Sequence, residues 1–385
     1  MTYQLDETGR QLVGQAARLA HDVAGRHAAD VDRAARFPSE SLAALARDGL
    51  FGLSVPSESG GRGQPPRVFA GVVEELAQAC ASTAMVYVMH VSAAQVIAAS
   101  ATLAGRDELL REIAAGRHLT TLAFSEAGSR SQFWAPVSRL ERQAGGNGEF
   151  VTTARKSWVT SATQADSFVS SARNGNVEAS EVTLYVVRRG SAGLRIDGGF
   201  DGLGLRGNDS APTVLESVRI PASDLLSEPG GGAAMMLEIA LPWFSVGTAA
   251  MANGLCRAAV TATAAHLTGT GFEHTGTQLR DLANLRSRLA EMSVRTEQSR
   301  ALLAATVTAM EHPDAATPLL VLQSRLAAIQ AAVDVTDLAM KACGGAAFSR
   351  HLGIERLFRD ARAGWVMSPT ADHLLDFIGR ALTGI

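Results

Sequence analysis

The chain has 385 residues, is 46% hydrophobic, and carries 35 Lys and Arg against 38 Asp and Glu, a formal net charge of −3. That length exceeds one domain and can bury two or three cores, and the charge balance supplies no broad basic field for nucleic acid or anionic lipid, so small-molecule chemistry is the expectation. The three cysteines, Cys80, Cys256 and Cys343, are far apart and follow neither metal-ligand nor disulfide-framework spacing, which fits buried thiols, no metal and a reducing, cytoplasmic setting.

The N-terminus lacks a basic region followed by an apolar one, and the apolar stretches from Ala79 to Ala104 and from Ala233 to Ala265 are punctuated by polar residues, so neither a signal peptide nor a membrane span is expected. From Leu5 to about Arg36, abundant Ala, Arg, Asp and Leu without Pro predict one long helix. Phe37-Pro38-Ser39-Glu40 restarts a helix, with Pro expected in its first turn. Ser54 to Gly63 is dense in turn formers and reads as a loop; helices follow over roughly Pro66 to Ala79 and Ser82 to Ser100. Near Leu119 the character changes to short β-rich runs: Leu119 to Phe124, Phe150 to Thr153, Ser167 to Ser171, Val182 to Val187 and Thr213 to Val218. Gly145-Gly146-Asn147-Gly148 and Asn174-Gly175-Asn176 read as turns between them. After Pro229 helical periodicity returns, with apolar stripes Leu279, Leu282, Leu285, Leu289, Met292 and Leu322, Leu326, Ile329, Val333. The reading is an α+β, mainly α chain: an N-terminal helical domain over 1–118, a middle β domain over 119–228 and a C-terminal helical bundle over 229–385.

Five segments, in order, resemble the acyl-CoA dehydrogenase superfamily. They are Val55 to Gly63 with Val73-Glu74-Glu75-Leu76-Ala77; Phe124-Ser125-Glu126-Ala127-Gly128-Ser129; Lys156-Ser157-Trp158-Val159-Thr160-Ser161-Ala162; Leu203-Gly204-Leu205-Arg206-Gly207; and Gly344-Gly345-Ala346-Ala347-Phe348 with Arg359-Asp360-Ala361-Arg362. The resemblance implies an FAD enzyme that oxidises a carbon–carbon bond beside a thioester carbonyl. It implies that Trp158 packs on the flavin, that Thr160 lies near its reactive nitrogen and that Phe124 and Ser125 contact its ring. A core tryptophan and a turn hydroxyl are the plain alternatives for Trp158 and Ser125. In the family the Gly-Gly segment meets the adenosine end of a neighbouring subunit's cofactor in a homodimer or homotetramer; Gly344 and Gly345 match, preceded by Lys341 where the family has Gln. A helix C-cap explains the glycines equally well.

The departures bear on chemistry. The family's catalytic carboxylate precedes a Gly-Thr pair near the C-terminus, and here that place reads Ser368-Pro369-Thr370, with Thr370 matching the Thr expected at the cofactor. The alternative base position, on the first helix of the bundle, holds Phe244, followed by Ser245. The arginine of the family's Arg-x-x-Phe-Gly segment is absent from Gly271 to Gly276. Ser368 reads as a helix cap ahead of Pro369. Asp372 and His373, one turn on, are the candidate replacements for the base, His373 because its ordinary pKa is near neutral. His90 on an apolar helix and Arg130 after the flavin loop are candidate substrate contacts, together with Phe244 and Ser368; a core histidine and a surface arginine are their plainer readings. The functions left open are an acyl-thioester dehydrogenase acting on CoA or carrier-protein substrates, a flavin monooxygenase served by a partner reductase, and a non-catalytic homologue that keeps the fold.

Overall fold

The computed structural model describes residues 3–143, 148–175 and 181–385. Gly145, Gly146 and Asn147 of one predicted turn and Asn176 of the other lie outside the described residues.

The long N-terminal helix forms, capped where Asp6 accepts the Gly9 N–H at 2.7 Å. It consists of α1 (Glu7–Leu19), a wide π-type turn (Ala20–Ala24) and α2 (Gly25–Ala34), and it stops where Ala35 turns left-handed at φ 49°. Helix α3 (Ser39–Arg47) follows with Pro38 at its cap position, one residue earlier than the first turn expected of it. Helices α4 (Pro66–Ala79) and α5 (Ala81–Ala98) fall where predicted. Helix α6 (Arg106–Ala114), whose Leu109, Leu110 and Ile113 are buried, was not foreseen. By length and composition α5 could cross a membrane, but 89% of it is buried inside the protein, against α4, the β domain and the C-terminal bundle.

The middle domain is a seven-stranded sheet of β1 (Thr120–Ala123), β2 (Arg139–Arg142), β3 (Phe150–Val159), β4 (Ser167–Asn174), β5 (Val182–Arg188), β6 (Leu194–Ile196) and β7 (Ala211–Ile220). Strands β1 and β2 follow one another along one edge of β4, both parallel to it, while β5 pairs antiparallel along the other. Antiparallel pairing then continues from β2 through β3 and β7 to β6. The sequence reading missed β2 and β6 because both are short and largely solvated, with no apolar run to announce them.

The C-terminal part begins with α7 (Gly232–Ala234), a second wide turn (Met235–Ala240) and α8 (Leu241–Gly269). A hairpin of β8 (Gly271–Phe272) and β9 (Thr277–Gln278) leads to α9 (Ala283–Glu311), α10 (Thr317–Cys343), α11 (Gly345–Phe348), α12 (Ile354–Val366) and α13 (Ala371–Thr383). Leu279 and Leu282, expected on the stripe of α9, precede it in a 3-10 turn and its cap, so the buried stripe starts at Leu285. On α10, Leu326 and Ile329 are buried against Ala371 and Leu374 of α13.

Two contacts fix the domains. At the α4–α8 crossing, a Cβ on Gly254 would stand 2.5 Å from Glu74 O, and beside it the buried Glu74 carboxylate accepts from Arg257 at 2.7 Å and Arg300 at 3.0 Å. On the other side, the Gly204 loop lies against α12, where Arg359 clasps Asp32 of α2 at 2.8 and 2.6 Å and Asp360 accepts the Leu205 N–H at 2.7 Å. Burial raises the Asp360 carboxyl to about 6 despite that bond and the nearby arginines. A raised carboxyl pKa contributes stability that is present below the unfolded value and lost as pH rises through the folded one. Asp360→Asn, which keeps the acceptor, is therefore expected to gain on the order of 2 kcal/mol in urea unfolding at pH 7 and little below about pH 3, where both folded and unfolded Asp360 hold the proton; equal effects at both pH values would contradict this.

Candidate active site

The site is built where the loop after β1 meets the end of β3. Glu126 and Lys156 face each other with their side chains 1% exposed, Nζ donating to Oε1 at 2.7 Å. Further bonds hold both ends: Glu126 Oε2 accepts the Val137 and Ser138 N–H groups at 2.7 and 2.8 Å, Oε1 accepts the Ser138 hydroxyl at 2.5 Å, and Lys156 donates again to Ser171 O at 2.6 Å. Burial alone would raise the Glu126 carboxyl, but Lys156 and the Ser138 donors hold it below the ordinary carboxylate range. The pair thus ties the 125–138 loop to the sheet, and the Ser157 N–H donates to Ser125 O at 2.9 Å to align the two segments.

Beyond Lys156 the register of β3 against β7 shifts before Val159, a bulge that turns Trp158 to φ 56°. The bulge re-aims the indole: Trp158 is 67% exposed and meets Phe200 edge-on at 6.2 Å, which rules out the core-tryptophan reading. A cleft enclosing about 470 Å³, counting space open to solvent, lies beside it. Phe124, Ser125, Ser157 and Trp158 form one side, Met89 of α5 and Leu122 the back, and Leu241, Phe244 and Ser368 the side of the bundle. Phe133 stacks on Phe124 at 6.2 Å and stiffens that wall.

Of the residues predicted from sequence, Phe124, Ser125, Trp158, Phe244 and Ser368 come together in this cleft. Ser368 is not the helix cap: the cap of α13 is Thr370, which accepts the His373 N–H, whereas the Ser368 hydroxyl donates to Ser131 O. Thr370 is thereby occupied in the helix terminus and does not line the cleft. Thr160 is buried one step behind the wall, sharing a 3.1 Å hydrogen bond with Ser210.

The expected acid–base pair is not at the cleft. Asp372 is exposed in the first turn of α13, and His373 is held by Thr370 at 3.2 Å and packs edge-on against Trp134 at 5.4 Å. His90 is a core residue: its Nδ1 accepts the Thr120 N–H and its Nε2 donates to Phe51 O, each at 3.2 Å, and burial pushes its pKa down to about 4. Its neighbour Met89 lines the cleft instead. Arg130 is exposed in a left-handed turn, as the surface-arginine reading has it. Lys341 is paired with Asp337 on the surface of α10, and Gly344 ends that helix with its N–H on Met340 O, both glycines facing open space. Among the described residues no group of three His, Cys, Asp or Glu side chains could hold a metal.

Comparison with known proteins matches the chain to the acyl-CoA dehydrogenase N-terminal domain over residues 6–117, the middle domain over 121–218 and the C-terminal domain over 230–383. It is 26% identical to a probable acyl-CoA dehydrogenase, YngJ, of Bacillus subtilis, over 94% of each chain. Butyryl-CoA dehydrogenase from Megasphaera elsdenii superposes with a TM-score of 0.93 at 20% identity over all of both chains. The prolyl acyl carrier protein oxidase AnaB does so at 0.89 and 19% identity, over 98% of this chain and 99% of that one.

The buried pair predicts an asymmetric mutational response. Lys156→Met should cost about 3–5 kcal/mol at pH 7 by leaving Glu126 charged without a partner, and the deficit should narrow below about pH 4, where Glu126 is protonated. Adding Glu126→Gln to Lys156→Met should restore part of the loss at pH 7. Urea unfolding measures all three; a double variant weaker than the single would contradict the account.

Proposed function

The chain belongs to the acyl-CoA dehydrogenase family, whose members are FAD-dependent oxidoreductases, and we propose that it dehydrogenates an acyl thioester, carried on CoA or an acyl carrier protein, with a base other than the family's glutamate. The observation that carries the reading is the Trp158 bulge: an indole presented at the rim of an apolar cleft by a strand that would otherwise bury it. That arrangement fits a flavin ring, a wide aromatic plane that needs a stacking face on one side and hydroxyl or main-chain donors at its polar edge. Trp158 and Phe124 would hold the plane, with Ser125 at the polar edge. Gly344 and Gly345, open on the surface of the bundle, would serve the cofactor of a second subunit in a homodimer or tetramer. Flavin would supply a two-electron acceptor there, and the setting of the reaction would be cytoplasmic.

The chain's own residues must still dispose of the α-proton. Among the residues lining the cleft none is ionisable. Ser368 and Phe244 match the family's two base positions, and of these Ser368 alone is polar; with its proton committed to Ser131 O, its oxygen is left as an acceptor that can hold a water to take up the proton. A serine-held water is a weaker base than a carboxylate, so this chemistry suits a substrate whose α-proton is already acidic.

Purified protein should carry FAD that bleaches anaerobically with some thioesters of a panel spanning CoA and carrier-protein forms. Trp158→Ala should weaken FAD retention roughly three- to tenfold. Ser368→Glu, which installs the missing carboxylate, should speed bleaching about tenfold or more. Absence of bleaching across the panel, with oxygen-dependent turnover of supplied reduced flavin, would replace this reading with a monooxygenase; a protein that binds no flavin would replace both with a non-catalytic one.

A further inference from the structure

The bundle contains a buried cation with no carboxylate partner among the described residues. Arg325 of α10 is 0% exposed and sits on the apolar stripe of that helix, three residues after Leu322 and four before Ile329. Its Nη2 donates to Met367 O at 3.1 Å, and its Nε and Nη1 meet no acceptor among the described residues. Four partly buried arginines that join elements are paired with carboxylate: Arg67 with Glu311, Arg257 and Arg300 with Glu74, Arg359 with Asp32 and Glu355. For Arg325 nothing offsets burial, which lowers its pKa to about 9 and still leaves it cationic at neutral pH. A charged group buried with two idle donors is strongly destabilising unless something else uses them.

The position of the guanidinium indicates what does. Its carbon lies 4.8 Å from the ring centre of Phe244, and its one acceptor belongs to Met367, directly before Ser368. Phe244 and Ser368 are both walls of the cleft, so Arg325 stands one side chain behind its floor. Phe244 is only half-buried, and its ring must turn aside for Nε or Nη1 to reach a molecule in the cleft. We propose that Arg325 is an anion-binding residue behind Phe244, and that the preferred substrates are short acyl thioesters whose acyl group carries a free terminal carboxylate. The substrate class rests on the thioester reading above; the anion site itself does not. A purely structural arginine, serving to hold the 367–369 segment, needs one donor and leaves the other two unexplained.

The test uses the FAD-loaded protein and four probes: succinyl-CoA and butyryl-CoA, of equal acyl length and differing in the terminal carboxylate, and the free acids succinate and butyrate. Binding is read from the perturbation of the flavin spectrum. Succinyl-CoA should bind roughly tenfold or more tightly than butyryl-CoA, Arg325→Met should abolish that preference, and Arg325→Lys should keep part of it. Phe244→Ala should tighten succinate binding when Arg325 is present and not when it is Met, which a structural arginine would not produce; should Arg325→Met not fold, Phe244→Ala in the otherwise native chain and Arg325→Lys carry the comparison. Equal affinity of the two thioesters, together with no response to succinate, overturns the anion site and leaves the thioester reading standing. Arg325-dependent binding of succinate with silence from both thioesters upholds the anion site and removes the thioester reading.

Discussion

The ion pair of Glu126 and Lys156 is the constraint on which the site depends. Two opposite charges inside a β domain are stable only when hydrogen bonds replace the water they lose, and here the bonds come from the same segments that must be aligned. Lys156 comes from a strand, Glu126 from the loop after another, and Val137, Ser138 and Ser171 close the circle. One consequence is that Ser125 and Ser157 are hydrogen-bonded side by side; another is that the strand bulges immediately afterwards and turns Trp158 outward. The cleft is thus a product of buried electrostatics, although its visible surface is apolar.

That surface has an unusual charge distribution for a site assigned to proton removal. No acid or imidazole is among its lining residues, and on the bundle side the Arg325 guanidinium stands behind Phe244. An enzyme that lacks a carboxylate base and retains a cation beside the pocket gains most from substrates that are themselves anionic and carry an acidified α-proton. On the function proposed above, Ser368 in place of a carboxylate base and Arg325 behind Phe244 would be two aspects of one specialisation.

The architecture was legible because it is written in repeated signals: 3.6-residue stripes in both helical parts, short β runs between turn residues in the middle, and five family-like segments in order. What failed to show were elements without periodicity, such as β2 and β6, and boundaries set by single bonds, as where Thr370 and not Ser368 caps α13. In the site, Phe124, Ser125, Trp158, Phe244 and Ser368 were found through the resemblance. His373 and Asp372 were placed by counting one helical turn, which cannot say which face the helix presents; Trp134 and Phe377 enclose the imidazole away from the cleft. Arg325 had a signal that went unused: it is a charged residue in register with Leu322 and Ile329 on an apolar face.

The central claim is that the Glu126–Lys156 lock and the Trp158 bulge together form the seat of a flavin ring. A crystal structure of the protein with FAD tests it most directly. The account predicts the ring in the cleft, one face on the Trp158 indole and its polar edge at Ser125, with the Glu126–Lys156 bond unchanged. Ring density elsewhere, or a ring in the cleft with Trp158 turned inward and the pair broken, would contradict it.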